Sequence, residues 1–136
     1  SIVEKETALG SERPKIAGVY LRRLTLGMRL QADPTVIYGL GARYDGNLRL
    51  IDLRTDGPFN TYTRAGLPPT PIALAGPPAL QAVAQPQMSE AIYFVASGAG
   101  DGSHVFSSTL EQHNAAVARL VARQRNLNRG ARNARP

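Results

Sequence analysis

The sequence contains no cysteine, which excludes disulfide bonds, thiol catalysis and cysteine-ligated metal sites. It also lacks any apolar run near the ~20 residues that a helix needs to span a bilayer, and it shows no recognisable signal peptide. Histidine occurs twice, at His104 and His113, and neither lies at metal-ligand spacing from the scattered acidic residues. We therefore expect the protein to use neither a metal nor a cofactor.

Acidic residues are also missing from the end of the chain, and this explains most of the net charge of +6. Residues 123–136 carry five arginines and no acid, whereas residues 1–122 carry eleven basic and ten acidic residues. A nucleic-acid-binding domain normally places its basic residues on a folded face. We therefore predict one domain over residues 1–122, a basic disordered tail over residues 123–136, and no nucleic-acid partner. A nucleic-acid binder that uses the arginine tail is the weaker alternative.

Helical patterns occupy much of the first half of the chain. Asp33 is expected to cap a short helix that runs to Gly39, because Pro34 suits the first helical position. A longer helix before it is expected to turn Arg23 outward. Four apolar residues at helical spacing would form its buried face: Ile16, Val19, Tyr20 and Leu24.

The second half of the chain combines a hairpin with a last helix. Residues 91–96 and 103–107 have the composition of two strands, and the glycine-rich stretch between them predicts a turn. A capping box from Ser108 to Glu111 predicts the start of the helix. The expected fold is therefore α+β: a single compact domain of several short helices with a small antiparallel sheet.

The first seven residues predict the end of a helix that carries an acid. On a helix, Ile2 and Val3 share the face of Glu6, whereas Glu4 lies about 200° away and points toward water. Gly10 is expected to close this helix and Ser11 to cap the next one. A carboxyl held against apolar residues has a raised pKa, because its charged form is poorly solvated. Glu6 is therefore the candidate proton donor, and an ordinary charged helix surface is the alternative.

Two further segments carry residues suited to binding a sugar. Gln31 and Asp33 lie where an extended segment meets a helix, so their side chains can point into a cleft. Residues 59–63 combine aromatic rings with the Asn60 amide, which suits stacking on a sugar ring and bonding its hydroxyls. Simple helix capping by Asp33 and an exposed Tyr62 on a strand are the alternatives.

Five blocks occur in a fixed order along the chain: Ser1–Thr7, Leu30–Gly39, Asn60–Tyr62, Gly66–Pro69 and Tyr93–Val95. Together they resemble the catalytic domain of MltG-type (YceG-like) endolytic murein transglycosylases, and the match runs from the first residue to about Val121. The resemblance implies a lysozyme-like catalytic helix at the N-terminus. It also places the acid at Glu6, because Glu6-Thr7 is similar to the Glu-Ser pair of other lytic transglycosylases; Glu4 is the fallback.

The resemblance implies a lyase that cleaves the β-1,4 bond between N-acetylmuramic acid and N-acetylglucosamine. Glu6 would protonate the bridging oxygen and then take the proton of the muramic C6 hydroxyl, which attacks C1 and closes a 1,6-anhydro ring. The nucleophile belongs to the substrate, so no cofactor is needed. Candidate sugar-binding residues are Gln31, Asp33, Tyr38, Asn60 and Tyr62. The alternatives are a hydrolytic muramidase that uses Glu6 and Asp33, and a glycan-binding module without catalysis.

The resemblance also implies partners and a location. Peptidoglycan glycan strands would be the substrate, and enzymes of cell-wall synthesis are further candidate partners. Family members carry a membrane anchor and a smaller domain before this one, and the chain includes neither. We therefore expect a soluble fragment of a protein that is anchored in the inner membrane of a bacterium and acts at its periplasmic face.

Overall fold

A computed structural model describes residues 1–133 of the chain, with side-chain environments as far as residue 131. Six α-helices and two strands follow one another in this part of the chain, together with 3-10 turns at Gly10–Glu12 and Gly41–Arg43. The predicted α+β class is confirmed. In chain order the elements are α1 (Ile2–Glu6), α2 (Arg13–Thr25), α3 (Asp33–Leu40), α4 (Leu50–Arg54), α5 (Pro77–Ala84), β1 (Tyr93–Ala96), β2 (His104–Ser107) and α6 (Leu110–Asn133).

The chain divides into two compact units, Ser1–Met88 and Ser89–Pro136, and each is described by itself. In the first unit, α2 packs against α5 and forms the centre of the core. The approach is close: a Cβ atom added to Gly18 would lie 2.3 Å from the carbonyl oxygen of Gln87. The buried side chains of this unit are mostly small or branched, and they include Ile16, Val19, Leu30, Val36, Ile72, Ala79 and Ala82.

Three helix ends in the first unit differ from the sequence prediction. Helix α1 ends at Glu6 because Thr7 is extended (φ −139°, ψ 140°), so Gly10 opens a 3-10 turn instead of closing α1. This turn runs directly into α2, and Ser11 caps nothing. Asp33 is the first residue of α3 and not its cap, because Ala32 occupies the cap position in an extended conformation.

The second unit consists of a β-hairpin and a long helix. Strands β1 and β2 pair antiparallel with Phe94 opposite Phe106, so the predicted hairpin is confirmed. Helix α6 is capped one residue later than predicted. The Gln112 N–H donates to Thr109 Oγ1 at 3.2 Å, and Gln112 Oε1 accepts from the N–H and the hydroxyl of Ser108.

Helix α6 extends through the segment that the sequence predicted to be disordered. It continues as far as Asn133, while residues 134–136 lie outside the described residues, and the disordered tail stays a prediction. The side chains from residue 121 to residue 131 are exposed. The helix therefore continues without covering apolar surface there, and the predicted domain boundary at residue 122 stays a prediction. None of the helices described in residues 1–133 has both the length and the apolar content that crossing a membrane requires.

Candidate active site

Glu6 is the last residue of α1, and two buried apolar side chains hold this short helix in place. Ile2 and Val3 are 8% and 5% exposed, while Glu6, on the same helix face, is half-buried with its Oε2 atom shielded from solvent. Helix α1 packs against both α2 and α3. Glu6 therefore lies on the same face of α1 as the buried Ile2 and Val3, while its role as the acid stays a prediction.

The sequence suggested that Glu4 points freely into water, but the structure shows that it does not. It is half-buried, and its Oε2 accepts the Gly76 N–H at 3.2 Å. Helix α5 begins with Pro77 and Pro78, which have no N–H to offer, so the Gly76 N–H is the first backbone donor at this helix end. The carboxylate of Glu4 therefore has a structural contact at the positive end of α5, where the helix dipole favours an anion.

Tyr20 of α2 is the residue that holds the Glu6 carboxylate. Its side chain is 7% exposed, and its hydroxyl forms a hydrogen bond with Glu6. Burial, followed by the negative charge of Glu6, raises the pKa of the Tyr20 hydroxyl well above its ordinary value. The phenol therefore stays protonated and acts as the donor. The sequence identified Tyr20 only as a core residue, because helical spacing does not show what a buried hydroxyl contacts.

A second tyrosine lies near the same carboxylate and is bound to a second acid. The Tyr62 hydroxyl donates to Asp33 Oδ1 at 2.5 Å, which joins the turn at residue 62 to the first turn of α3. Burial, the bond to Asp33 and the nearby charge of Glu6 together raise the pKa of Tyr62, so this phenol is also neutral. The sequence identified both residues, although it assigned Asp33 to helix capping or to the cleft and did not predict this pair.

Arg23 was predicted to face outward, and it is instead 7% exposed. Its Nη1 donates to the carbonyl oxygens of Arg29 and Leu30 at 3.1 and 3.0 Å, and to Gln31 Oε1 at 3.4 Å. A guanidinium can be buried at low cost when its donors are used in this way. Arg23 lies close to both tyrosines, because its positive charge lowers the pKa values of Tyr20 and Tyr62. Burial and the neighbouring acids raise these pKa values by more.

Gln31 has an unusual backbone that the sequence did not predict. Its φ of 51° lies in the left-handed region, where residues other than glycine are uncommon. Its N–H donates to the Thr61 carbonyl at 3.1 Å, and the next N–H, of Ala32, donates to Thr61 Oγ1 at 2.9 Å. The loop that carries Gln31 is therefore fixed between Arg23 on one side and the turn that carries Tyr62 on the other.

Asn60 and Tyr38 lie apart from this cluster. Asn60 is 5% exposed; its amide nitrogen lies within 3.2 Å of three backbone carbonyls, and its Oδ1 accepts the Tyr62 N–H. The amide thus holds the turn together, and we leave Asn60 out of the sugar contacts proposed below. Tyr38 is 47% exposed and its ring packs on Phe59, with 4.9 Å between ring centroids.

An apolar groove of about 330 Å³ lies beside Tyr20 in the first unit. Its walls come from α1, α2 and the loop of residues 67–71, which contains three prolines. Tyr20 lines the groove, whereas Glu6 does not. The groove is therefore next to the acid without exposing it. Among residues 1–133, no group of three histidine or acidic residues is placed to hold a metal ion.

By its fold the chain is a helix-rich α+β protein with a carboxylate–tyrosine site. Its sequence matches the model of the YceG-like family over residues 1–119, so the chain belongs to that family. The Bacillus subtilis (strain 168) protein named endolytic murein transglycosylase is 40% identical over 122 residues, which are 90% of this chain and 33% of that protein.

Two further similarities agree with this membership. A Streptococcus pneumoniae (strain D39) protein with the same name is 33% identical over 126 residues, which cover 89% of this chain and 22% of that protein. A crystal structure of a yceG-like protein from Listeria monocytogenes superposes with a TM-score of 0.77 at 44% identity, covering 84% of this chain and 36% of the other. The chain thus spans a third or less of the length of these two named relatives.

Proposed function

We propose that this chain is the catalytic domain of an endolytic lytic transglycosylase, which cleaves the β-1,4 bond between N-acetylmuramic acid and N-acetylglucosamine in peptidoglycan. The observation that supports this most directly is the position of Glu6. It is a half-buried carboxyl bonded to a buried tyrosine, and a second tyrosine lies near it. Relatives named endolytic murein transglycosylases support the choice of substrate. In this proposal the protein acts at the cell envelope, at the periplasmic face of the inner membrane, and enzymes of cell-wall synthesis are its further partners.

Glu6 serves as the acid and then as the base. As the carboxylic acid it gives its proton to the bridging oxygen while the bond from that oxygen to C1 breaks. As the carboxylate it takes the proton of the C6 hydroxyl, whose oxygen forms the new bond to C1. Glu6 gives one proton and takes one back without the participation of water, so the enzyme returns to its starting state. Tyr20 orients the carboxylate throughout, because its hydroxyl remains a donor.

Asp33 is given a supporting role in this mechanism. A hydrolytic glycosidase needs a second carboxylate across the scissile bond, to activate water or to attack C1. The Oδ1 atom of Asp33 already accepts the Tyr62 hydroxyl at 2.5 Å. We therefore propose that Asp33 orients Tyr62 and that the substrate supplies the nucleophile. A muramidase that uses Glu6 and Asp33 remains the alternative to be tested.

The test of the acid is a pair of matched substitutions in one short helix. Glu6→Gln keeps the shape of the side chain and removes the transferable proton, so the rate of murein cleavage should fall by at least ~10²-fold. Glu4→Gln is the control, because its amide oxygen can still accept the Gly76 N–H and only the negative charge beside α5 is lost. Cleavage is measured by mass spectrometry of murein digests, and folding by circular dichroism. Normal cleavage by Glu6→Gln together with an inactive Glu4→Gln would move the acid to Glu4.

The same digests decide between the reaction types. Transglycosylase products end in 1,6-anhydro-muramic acid, which is lighter by one water than a hydrolysed end. In heavy-oxygen water these ends should carry no label, because water never attacks C1. Labelled reducing ends would identify a hydrolase and make Asp33 its second carboxylate. Glycan binding without any released fragment would support a binding module instead.

A further inference from the structure

The hydrogen-bond polarity of two candidate sugar-binding side chains, Gln31 and Tyr62, is set by their neighbours. Gln31 Oε1 accepts from the guanidinium of Arg23, and arginine can only donate. The amide of Gln31 is therefore oriented with its oxygen toward Arg23. The exposed Gln31 side chain thus has its two N–H donors left for a ligand.

Tyr62 has the opposite polarity. Its single hydroxyl proton is donated to Asp33 Oδ1, and the phenol stays neutral at ordinary pH. The hydroxyl oxygen can therefore still accept a hydrogen bond but has no further proton to donate. Asp33 thereby makes Tyr62 an acceptor for any ligand, just as Arg23 makes Gln31 a donor.

The two segments that carry the donor and the acceptor are bonded directly to each other. The Gln31 N–H bonds to the carbonyl of Thr61, the residue before Tyr62, and Arg29 Nη1 donates to the Tyr62 carbonyl at 3.3 Å. The left-handed backbone of Gln31 costs conformational energy, and such strain is typical of functional positions. Three contacts to Arg23 around this residue stabilise it.

We propose that Gln31 and Tyr62 form a recognition site for the acetamido group of an N-acetylated sugar. An acetamido group offers one carbonyl acceptor and one N–H donor, which match the Gln31 donor and the Tyr62 acceptor. A carboxylate ligand could not donate to Tyr62, and an ammonium group could not accept from Gln31. Arg23 and Asp33 are positioning residues for this pair. The inference rests on the proposed function, since it assigns part of the same substrate to two residues.

The test compares N-acetylated murein with the same material after chemical de-N-acetylation, and a re-acetylated sample controls for damage. The unsubstituted protein should prefer the acetylated form by about tenfold or more in kcat/KM, since a tenfold ratio corresponds to about 1.4 kcal/mol and one or two hydrogen bonds supply that much. Gln31→Met and Tyr62→Phe keep the size of each side chain and remove the donor or the acceptor. Each should lose about 5- to 10-fold on the acetylated form and little on the other.

The positioning role has its own comparison. Asp33→Asn keeps an oxygen that can accept the Tyr62 hydroxyl, whereas Asp33→Ala does not. The asparagine variant should therefore retain most of the preference and the alanine variant should lose it. A purely structural role for Asp33 would lower kcat on both substrates equally and leave their ratio unchanged, which would overturn this assignment.

A binding experiment separates this inference from the assignment of the acid. In a Glu6→Gln background, calorimetry measures binding of the N-acetylglucosamine tetramer and of the glucosamine tetramer. Preference for the acetylated probe that disappears with Gln31→Met supports the recognition site, whether or not Glu6 is the catalyst. Equal binding of the two probes, or a preference that both substitutions leave intact, overturns it.

Discussion

Gly18→Ala tests the close approach of α2 to the segment after α5. The new Cβ would lie 2.3 Å from the Gln87 carbonyl oxygen and 3.0 Å from its carbon, and both are backbone atoms that cannot rotate away. The helix and the segment must separate by roughly 0.7 Å to restore a tolerable contact. This separation also strains the bond from the Gln87 N–H to the Pro14 carbonyl, which is 3.0 Å long.

The cost of this clash can be set against the gain in helix propensity. Overpacking costs about 1–3 kcal/mol, and this clash belongs to the upper part, about 2–3 kcal/mol, because the atoms it meets are backbone. Replacing glycine by alanine within a helix returns about 1 kcal/mol. We expect a net loss of about 1–2 kcal/mol, or roughly 3–8 °C in melting temperature for a chain of this size. Because α2 also carries Tyr20, murein cleavage should fall together with stability.

Thermal denaturation followed by circular dichroism measures this effect, with Gly10→Ala as the control. At Gly10 the nearest atom to an added Cβ is 3.5 Å away, and its φ lies outside the left-handed region. Its substitution should leave the melting temperature unchanged or raise it slightly. If Gly18→Ala were as stable as Gly10→Ala, the close packing of α2 on Gln87 would be refuted.

Two further predictions concern the hydrogen bonds around the site. Asn60→Ala should destabilise the protein by about 2–3 kcal/mol in chemical denaturation, because it leaves backbone groups of a buried turn without partners; unchanged stability with weaker glycan binding would return Asn60 to the sugar contacts. The raised pKa values of Tyr20 and Tyr62 predict stability that is level below pH 10 and falls above it, since the unfolded tyrosines release their protons first. Tyr20→Phe and Tyr62→Phe should each flatten this alkaline slope, by up to about 1.4 kcal/mol per pH unit, and a slope unchanged in both variants would contradict the burial of these hydroxyls.

Local patterns predicted those parts of the fold and of the site that depend on neighbours in sequence. The face of Glu6 followed from its distance to Ile2 and Val3 along one helix turn, and the hairpin followed from two short strands around glycines. These features need only the period of a helix or a strand. The structure agrees with them because nothing distant overrides them.

Contacts between distant segments could not be read in this way. Helical spacing and a formal charge favoured an outward Arg23, but the carbonyls at residues 29 and 30 fold back against it and make burial favourable. The Asn60 amide beside aromatic residues suggested sugar binding, whereas the turn around it uses the whole amide. Asp33 was selected from the sequence as a candidate site residue, yet its partner, Tyr62, is 29 positions away. The sequence pattern shows which groups are available and not which ones meet.

Few residue types can replace Tyr20, because its ring lines the apolar groove while its hydroxyl holds Glu6. Phenylalanine would keep the packing and lose the donor, and serine would keep a hydroxyl and leave a void. No other standard side chain combines a six-membered apolar ring with a neutral donor at its far end. Substitutions of Tyr20 should therefore be rare among relatives, even though the residue takes no direct part in bond cleavage in the proposed mechanism. Mutational scanning that measures folding and cleavage separately should find that phenylalanine, unlike every other substitution, gives a folded protein with impaired cleavage.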